Sequence, residues 1–163
     1  RCSLVEVMGR HAGYLALFVG IAVGATAVLI PEHEVDFQRD IIEKIRRARL
    51  AGSTHYMIVV AEGAGSAMEF ADRIPAEIGM APRVTVLGHI QRGGAPSARD
   101  RESASRMGYA AVNALAAHKG NRVISIQSGQ IIDLDMEEAL QMTKPFQMDR
   151  YQILEDLSIT QGR

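Results

Sequence analysis

The sequence of 163 residues contains no tryptophan, a single cysteine and 5% aromatic residues. The lone cysteine, Cys2, excludes an internal disulfide and is typical of a reducing compartment, so we expect a cytoplasmic protein. The scarcity of aromatic side chains argues against a stacking surface for single-stranded nucleic acid. A net charge of −1 gives no overall field that would attract nucleic acid or an anionic membrane. We therefore expect neither among the partners.

Long apolar runs and several common motifs are also missing. The longest apolar segment, residues 14–31, is broken by glycine and threonine. It falls short of the roughly 18 uninterrupted apolar residues that a transmembrane helix needs. The sequence has no Walker A loop and no G-x-G-x-x-G loop for phosphate binding. His33, His55 and His118 are isolated and lack the spacing of metal ligands, so we predict no metal site.

What the sequence does contain is a regular alternation of apolar segments. Short continuous apolar runs predict strands at residues 2–8, 27–30, 55–61 and 83–87, and helical periodicity predicts helices at 12–25, 37–50 and 66–78. This alternation is typical of a parallel sheet covered on both faces, so we expect a three-layer α/β/α fold with a mostly parallel sheet. The remaining residues predict a long helix at 98–117, a strand pair at 122–127 and 130–134, a short helix at 136–142 and a polar, weakly helical tail from 148.

Two junctions that follow predicted strands carry charged residues beside glycines. In residues 8–13 (MGRHAG), glycines allow close backbone approach, a helix N-terminus supplies N–H donors, and Arg10 suits a phosphate. The same residues also fit a tight turn whose arginine faces solvent. In residues 61–65 (AEGAG), Glu62 directly follows a buried strand and could accept hydrogen bonds from sugar hydroxyls. It could equally complement the dipole of the next helix.

A third junction, residues 88–94 (GHIQRGG), predicts an anion-binding loop. His89 and Arg92 are three residues apart and are followed by two glycines, whose N–H groups can approach an anion closely. The alternative is a loop with two incidental cations. Arg83 begins the preceding strand and therefore lies at the opposite end from His89, so we do not expect it to reach the same ligand within one subunit. A neighbouring subunit could present it.

Three strings of this sequence resemble the 6-phosphofructokinase family: VEVMGRHAGYLAL, AEGAG and RVTVLGHIQRGGAPSARDR. The resemblance runs from residue 1 to about residue 146 and corresponds to the C-terminal half of a bacterial-type subunit. It implies a phosphofructokinase-like C-terminal lobe and three segments. Residues 1–96 form a lobe that binds fructose 6-phosphate, residues 97–145 return to the donor-binding lobe, and residues 146–163 form a C-terminal tail.

The resemblance also implies an activity and roles for individual residues. The family transfers a phosphoryl group to O1 of fructose 6-phosphate in glycolysis, and Arg10 resembles its catalytic arginine. Glu62 resembles the carboxylate that holds the sugar hydroxyls, and His89 and Arg92 the pair that grips the 6-phosphate. Arg1 and Arg83 resemble the arginines that a neighbouring subunit supplies to that phosphate. The implied substrate-binding residues are Arg1, Met8, Gly9, Arg10, Glu62, Arg83, His89, Ile90, Gln91 and Arg92.

The implied cofactors and partners depend on the other half of the family's subunit. That half carries the catalytic aspartate, the nucleotide loops and the Mg²⁺ ligands, so we expect this fragment to be inactive alone. The donor is ATP or, as in a pyrophosphate-dependent phosphofructokinase, pyrophosphate. Because Arg1 and Arg83 would serve the phosphate site of a neighbouring subunit, the resemblance implies at least a dimer. Members of the family are usually homotetramers. Thr26, Ala51, Ser53 and Thr54 stand where allosteric members carry charged effector ligands. A non-catalytic sugar-phosphate-binding module is the alternative function.

Overall fold

The structure, a computed structural model, describes residues 1–160 and divides the chain into two compact units. Unit 1 joins residues Arg1–Arg92 to the segment that begins at Phe146, and unit 2 is Gly93–Pro145. Unit 2 therefore starts four residues before the boundary expected at residue 97. Within residues 1–160, no helix is both long and apolar enough to cross a bilayer.

Unit 1 is built on a parallel sheet of four strands in the order β2-β3-β1-β4. The strands are β1 (Cys2–Val7), β2 (Ala27–Leu29), β3 (Tyr56–Ala61) and β4 (Arg83–Val86). The helices are α1 (Tyr14–Val23), α2 (Glu43–Leu50), α3 (Ala67–Ile78) and α6 (Met148–Thr160). Because β1 pairs in parallel with both β3 and β4, the carboxyl ends of these three strands lie at one edge of the sheet.

Two apolar clusters cover the two faces of this sheet. One contains Leu4, Leu29 and Ile58 and packs against Ile45 of α2 and Ile74 of α3. The other contains Val7, Val28 and Val59 and packs against Leu17 of α1 and Leu154 of α6. Successive strand residues thus enter opposite clusters, as the period of two requires. The predicted three-layer α/β/α fold with a parallel sheet is confirmed.

Unit 2 consists of a long helix, a two-stranded antiparallel sheet and a short helix. Ser97 begins α4 (Ala98–Ala116) with a capping box, in which its hydroxyl accepts from the N–H of Asp100 and the Asp100 carboxylate accepts from the N–H of Ser97. Strands β5 (Arg122–Gln127) and β6 (Gln130–Asp135) pair across the turn at Ser128 and Gly129, as the sequence predicts. Helix α5 spans Met136–Gln141.

The helix predicted at residues 37–50 begins differently from the expectation. Its first part, Gln38–Ile42, is a wider π-helical turn, and α2 follows it. Asp40, Ile41 and Ile42 are all buried there, which exceeds the single stripe that an ordinary amphipathic helix buries. The Asp40 carboxylate accepts hydrogen bonds from the N–H of Asp36 and from the guanidinium of Arg39, which compensate its burial.

The expectation of a weakly helical tail after residue 146 needs correction. Residues 148–160 form the regular helix α6, which belongs to unit 1. Leu154 is 2% exposed and lies in the apolar cluster on the α1 face of the sheet. The Glu155 carboxylate pairs with the ammonium of Lys44 on α2. These tertiary contacts supply the stability that the weak local pattern does not indicate.

Candidate functional site

Three loops follow the carboxyl ends of neighbouring strands β3, β1 and β4. Met8, Gly9 and Arg10 follow β1, Glu62 follows β3, and the 3-10 turn Gly88–Arg92 follows β4. Because the strands are parallel neighbours, these loops come together at one edge of the sheet, where open α/β folds bind ligands. The structure thus places three of the predicted junctions side by side.

Hydrogen bonds between these loops fix the backbone of the β1 loop. The N–H groups of Gly9 and Arg10 both donate to Oε1 of Glu62, at 3.1 and 2.5 Å. The N–H of Met8 donates to Oε1 of Gln91 at 2.9 Å. Side chains from the β3 and β4 loops therefore hold three successive residues of the β1 loop. Because Glu62 uses a single oxygen for both bonds, its carboxylate keeps a second oxygen for a ligand.

Glycines permit the close approach of these loops. A Cβ atom at Gly63 would lie 2.2 Å from the carbonyl oxygen of Arg10, so no other residue fits there without a backbone shift. A Cβ atom at Gly9 would lie 2.3 Å from the carbonyl oxygen of Ala12. Arg10 itself has φ of 54°, in the left-handed region that non-glycine residues rarely adopt. The arginine is therefore held in a turn that its own backbone disfavours.

The electrostatics of the site keep Glu62 ionised. Hydrogen bonds from the N–H groups of Arg10 and Gly9 lower the pKa of the Glu62 carboxyl group, and the charges of Arg92 and Arg10 lower it further. The Glu62 carboxylate can accept hydrogen bonds from hydroxyl groups, and the nearby guanidinium groups of Arg10 and Arg92 can bind an anion. This arrangement suits a ligand that carries both hydroxyls and a phosphate.

The turn after β4 presents its side chains to solvent. Gly88 begins it with φ of 48°, and the N–H of Ile90 donates to the carbonyl oxygen of Leu87 at 3.2 Å. His89, Ile90, Gln91 and Arg92 are all exposed. Gln91 contacts the β1 loop through its hydrogen bond to Met8, and Arg92 influences Glu62 through its charge. Gln91 and Arg92 therefore lie near the Arg10 loop and Glu62.

Arg1 and Arg83 lie at the other end of the sheet. Ser3 pairs with Arg83 in the β1–β4 register, so both arginines sit at the amino ends of their strands, where they line a common concavity. Met8 is five positions after Ser3, a distance of about 16–17 Å along extended chain. The two arginines and the Arg10 loop of one chain are therefore on opposite edges of the sheet.

One residue with a clear contact to this region was missed by the sequence reasoning. The N–H of Gly13 donates to Glu32, at 2.9 Å to Oε1 and 3.1 Å to Oε2. Glu32 follows β2 as Glu62 follows β3, so its position after a strand was the available signal. For residues 1–160 the structure shows no group of three or more histidine, cysteine, aspartate or glutamate side chains that could hold a metal ion.

Comparison with known proteins gives consistent matches. The family described as Phosphofructokinase matches residues 1–115. An ATP-dependent 6-phosphofructokinase of Brevibacillus brevis is 48% identical over 159 residues, which cover 98% of this chain and 50% of that protein. One of Bacillus thuringiensis has the same identity and coverage. The chain thus spans about half the length of these relatives and matches their C-terminal half.

Solved structures agree with the sequence matches. A crystal structure of Pichia pastoris phosphofructokinase in the T-state has a TM-score of 0.79 and 31% identity, and the match covers 99% of this chain and 19% of that one. A structure of phosphofructokinase from Saccharomyces cerevisiae has the same TM-score and 34% identity, with 98% and 22% covered.

Proposed function

The chain belongs to the phosphofructokinase family, and from this membership we propose that it is the sugar-phosphate-binding half of an ATP-dependent 6-phosphofructokinase. In the proposed reaction a phosphoryl group passes from ATP to O1 of fructose 6-phosphate and gives fructose 1,6-bisphosphate, a step of glycolysis. One observation carries the proposal: the backbone N–H groups of Met8, Gly9 and Arg10 donate hydrogen bonds to the side chains of Gln91 and Glu62.

We assign Arg10 the catalytic role. Phosphoryl transfer needs little covalent chemistry from the protein, but it needs fixed positive charge near the transferring group. The guanidinium of Arg10 supplies that charge, and Glu62 and Gly63 fix the backbone from which it extends. Because the planar guanidinium presents two parallel N–H donors, a bidentate arginine also orients the transferring group.

The other residues of the site bind the sugar phosphate in this proposal. Glu62 accepts from sugar hydroxyls, and its lowered pKa keeps it in the accepting form. His89 and Arg92 grip the 6-phosphate, and the remaining residues of the two loops line the sugar. Those lining residues are Met8, Gly9, Ile90 and Gln91.

Arg1 and Arg83 complete the 6-phosphate site of a neighbouring subunit in this proposal. Their position at the amino ends of the strands supports it, because a ligand at the Arg10 loop of the same chain lies about 16–17 Å away. The active enzyme is therefore at least a dimer, and we propose the homotetramer of the family.

The phosphoryl donor and the metal belong to the part of the enzyme outside this chain. The relatives from Brevibacillus brevis and Bacillus thuringiensis are named as ATP-dependent, which favours ATP over pyrophosphate. Within residues 1–160 no three His, Cys, Asp or Glu side chains are grouped so that they could hold a metal ion. From the family resemblance we place Mg²⁺ binding, and the base that activates the sugar hydroxyl, in the other half, and we expect this chain alone to be inactive.

The first test is a calorimetric titration of the chain with fructose 6-phosphate, with the oligomeric state measured in the same buffer. We expect binding that is lost in Arg92→Ala and kept in the control Arg47→Ala, which removes an exposed arginine of α2. Assays of the intact enzyme with ATP and with pyrophosphate identify the donor. Absence of binding by a folded dimer, together with absence of activity in the intact enzyme, would refute the proposal.

A further inference from the structure

Glu32 caps a helix whose own N-cap residue has no side chain. Helix α1 begins at Tyr14, its N-cap residue is Gly13, and its first turn contains no acidic residue. The carboxylate of Glu32, three residues beyond the end of β2, accepts the Gly13 N–H with both oxygens, at 2.9 and 3.1 Å. The negative charge thus sits at the positive end of the α1 dipole and satisfies one of its free N–H donors.

The contact between Glu32 and Gly13 is tightly packed. A Cβ atom at Gly13 would lie 2.7 Å from Oε2 of Glu32 and 2.4 Å from Cγ2 of Ile30. Gly13 is buried, and only a residue without a side chain lets the carboxylate approach the backbone this closely. Glu32 itself is exposed, so its contact with the start of α1 is defined by its hydrogen bonds to Gly13 and by the room that Gly13 leaves beside Ile30.

The turn that carries Arg10 is consequently held at both of its ends. Glu62 accepts from the N–H groups of Gly9 and Arg10 at the first end, and Glu32 accepts from Gly13 at the second. Between them, the N–H of Ala12 donates to the carbonyl oxygen of Gly9 at 3.0 Å. Arg10 lies inside this short closed segment with φ of 54°, a conformation that persists only where the surroundings determine it.

We infer that Glu32 is a positioning residue for Arg10: its carboxylate anchors the Gly13 end of the turn and so fixes the guanidinium in the proposed active site. The inference rests on the proposed function for its effect on catalysis. The effect on the turn itself is independent of that function. The Glu32 carboxylate is directed to a backbone N–H.

The test compares the intact enzyme that contains this chain with its Glu32→Ala and Glu32→Gln variants. Because a displacement of about 1 Å in a positioning contact can cost on the order of 100-fold in rate, we expect Glu32→Ala to lower kcat about 10- to 100-fold. We expect a much smaller change in KM for fructose 6-phosphate. Glu32→Gln keeps an acceptor oxygen for Gly13 and should retain most of the wild-type kcat. Arg10→Ala gives the kcat that remains when the proposed catalytic guanidinium is removed.

Amide hydrogen exchange, read by mass spectrometry, gives a second readout. Exchange in peptides that cover residues 9–13 should be faster in Glu32→Ala and close to wild type in Glu32→Gln, with β5 peptides unchanged. If Glu32→Ala does not fold, Glu32→Asp is used instead. Aspartate keeps the negative charge, but its side chain is one carbon shorter and does not reach the N–H of Gly13. Asp135→Ala, which removes the N-cap of α5, measures the effect of losing a helix cap elsewhere.

Two results would overturn the inference. One is unchanged exchange at residues 9–13 in Glu32→Ala. The other is a fall in kcat that Asp135→Ala reproduces, since this would reflect general loss of stability. If the wild-type enzyme transfers no phosphoryl group, the proposed function fails, and the exchange comparison still decides whether Glu32 anchors the turn.

Discussion

At the scale of single residues, Arg10 depends on its neighbours for its backbone conformation. A left-handed conformation costs a non-glycine residue on the order of 1–2 kcal/mol. The Glu62 carboxylate offsets this cost by accepting the N–H of Arg10, and Gly63 leaves room for the carbonyl oxygen of Arg10. The same carboxylate is therefore both a proposed ligand for substrate and a support for the proposed catalytic arginine.

The lowered pKa of Glu62 predicts a pH-dependent contribution to stability. Because the folded-state pKa lies below that of the unfolded chain, the unfolded chain takes up a proton first as the pH falls. The stabilisation is present above the unfolded pKa of about 4.3 and is lost as the pH falls through the folded pKa. We expect the stability difference between wild type and Glu62→Gln to shrink between about pH 6 and pH 3.

Urea unfolding at several pH values measures this difference. Glu34→Gln, which removes an exposed carboxylate outside the site, is the matched control. A difference between wild type and Glu62→Gln that stays constant over the range would show that the hydrogen bonds from Gly9 and Arg10 do not shift the titration.

The sequence located much of the candidate site but not its internal contacts. Glycines beside charged residues after apolar strands pointed to Arg10, Glu62 and Arg92, because local spacing carries that information. The bond from Met8 to Gln91 joins residues 83 positions apart, and no local pattern specifies such a pairing. Glu32 was missed for the same reason, since its partner Gly13 lies on another element.

At the scale of elements, the parallel sheet and most helices follow directly from apolar periodicity. Strand β2 is buried throughout and β3 along nearly its whole length, so their continuous apolar runs predict them well, whereas β4 is mostly exposed. Helix α6 was underestimated because its sequence is mostly polar and its few buried side chains find partners only in the folded protein. The π-helical turn at Gln38–Ile42 buries three consecutive residues, and Asp40 pairs there with the adjacent Arg39, an arrangement that apolar periodicity does not predict.

The ion pair between Lys44 of α2 and Glu155 of α6 contributes to the free energy of unfolding of unit 1. The Lys44 side chain is 6% exposed and that of Glu155 is 27% exposed. Removal of one partner from a fully buried pair costs about 3–5 kcal/mol. Because solvent partly screens Glu155, we expect Glu155→Ala to lower the free energy of unfolding by about 2–3 kcal/mol.

Chemical denaturation of the chain measures this change. The double variant Lys44→Met/Glu155→Leu removes both charges and should recover much of the lost stability, because it leaves no unpaired buried ammonium. A loss below about 0.5 kcal/mol in Glu155→Ala would place the pair among ordinary surface salt bridges.

At the scale of the whole molecule, the predicted membership in the phosphofructokinase family is confirmed by the match over residues 1–115. The three strings that carried the resemblance span the loops after β1, β3 and β4 with parts of the adjoining strands and helices. The donor, the tetramer and the cytoplasmic location stay predictions. They depend on parts of the enzyme, or on surroundings, that this chain does not contain.

Unit 2 predicts self-association of the isolated chain. Tyr109, Val112 and Leu115 of α4 recur at intervals of three residues and are 73%, 64% and 68% exposed. An apolar stripe of this kind marks an interaction surface. We expect concentration-dependent association in sedimentation velocity that Val112→Glu reduces. Leu50→Glu, at a single exposed leucine of α2, is the control, and a monodisperse wild-type monomer would contradict the expectation.

The discontinuity of unit 1 has a consequence for the order of events during synthesis. The ribosome must produce all of residues 93–145 between the sheet of unit 1 and the helix that completes one of its faces. At about 5–20 residues per second, synthesis of that segment takes several seconds. During this time the apolar side chains that later contact Leu154 of α6 stay uncovered. The face of the sheet that α6 covers is therefore open to other apolar surfaces until synthesis is nearly complete.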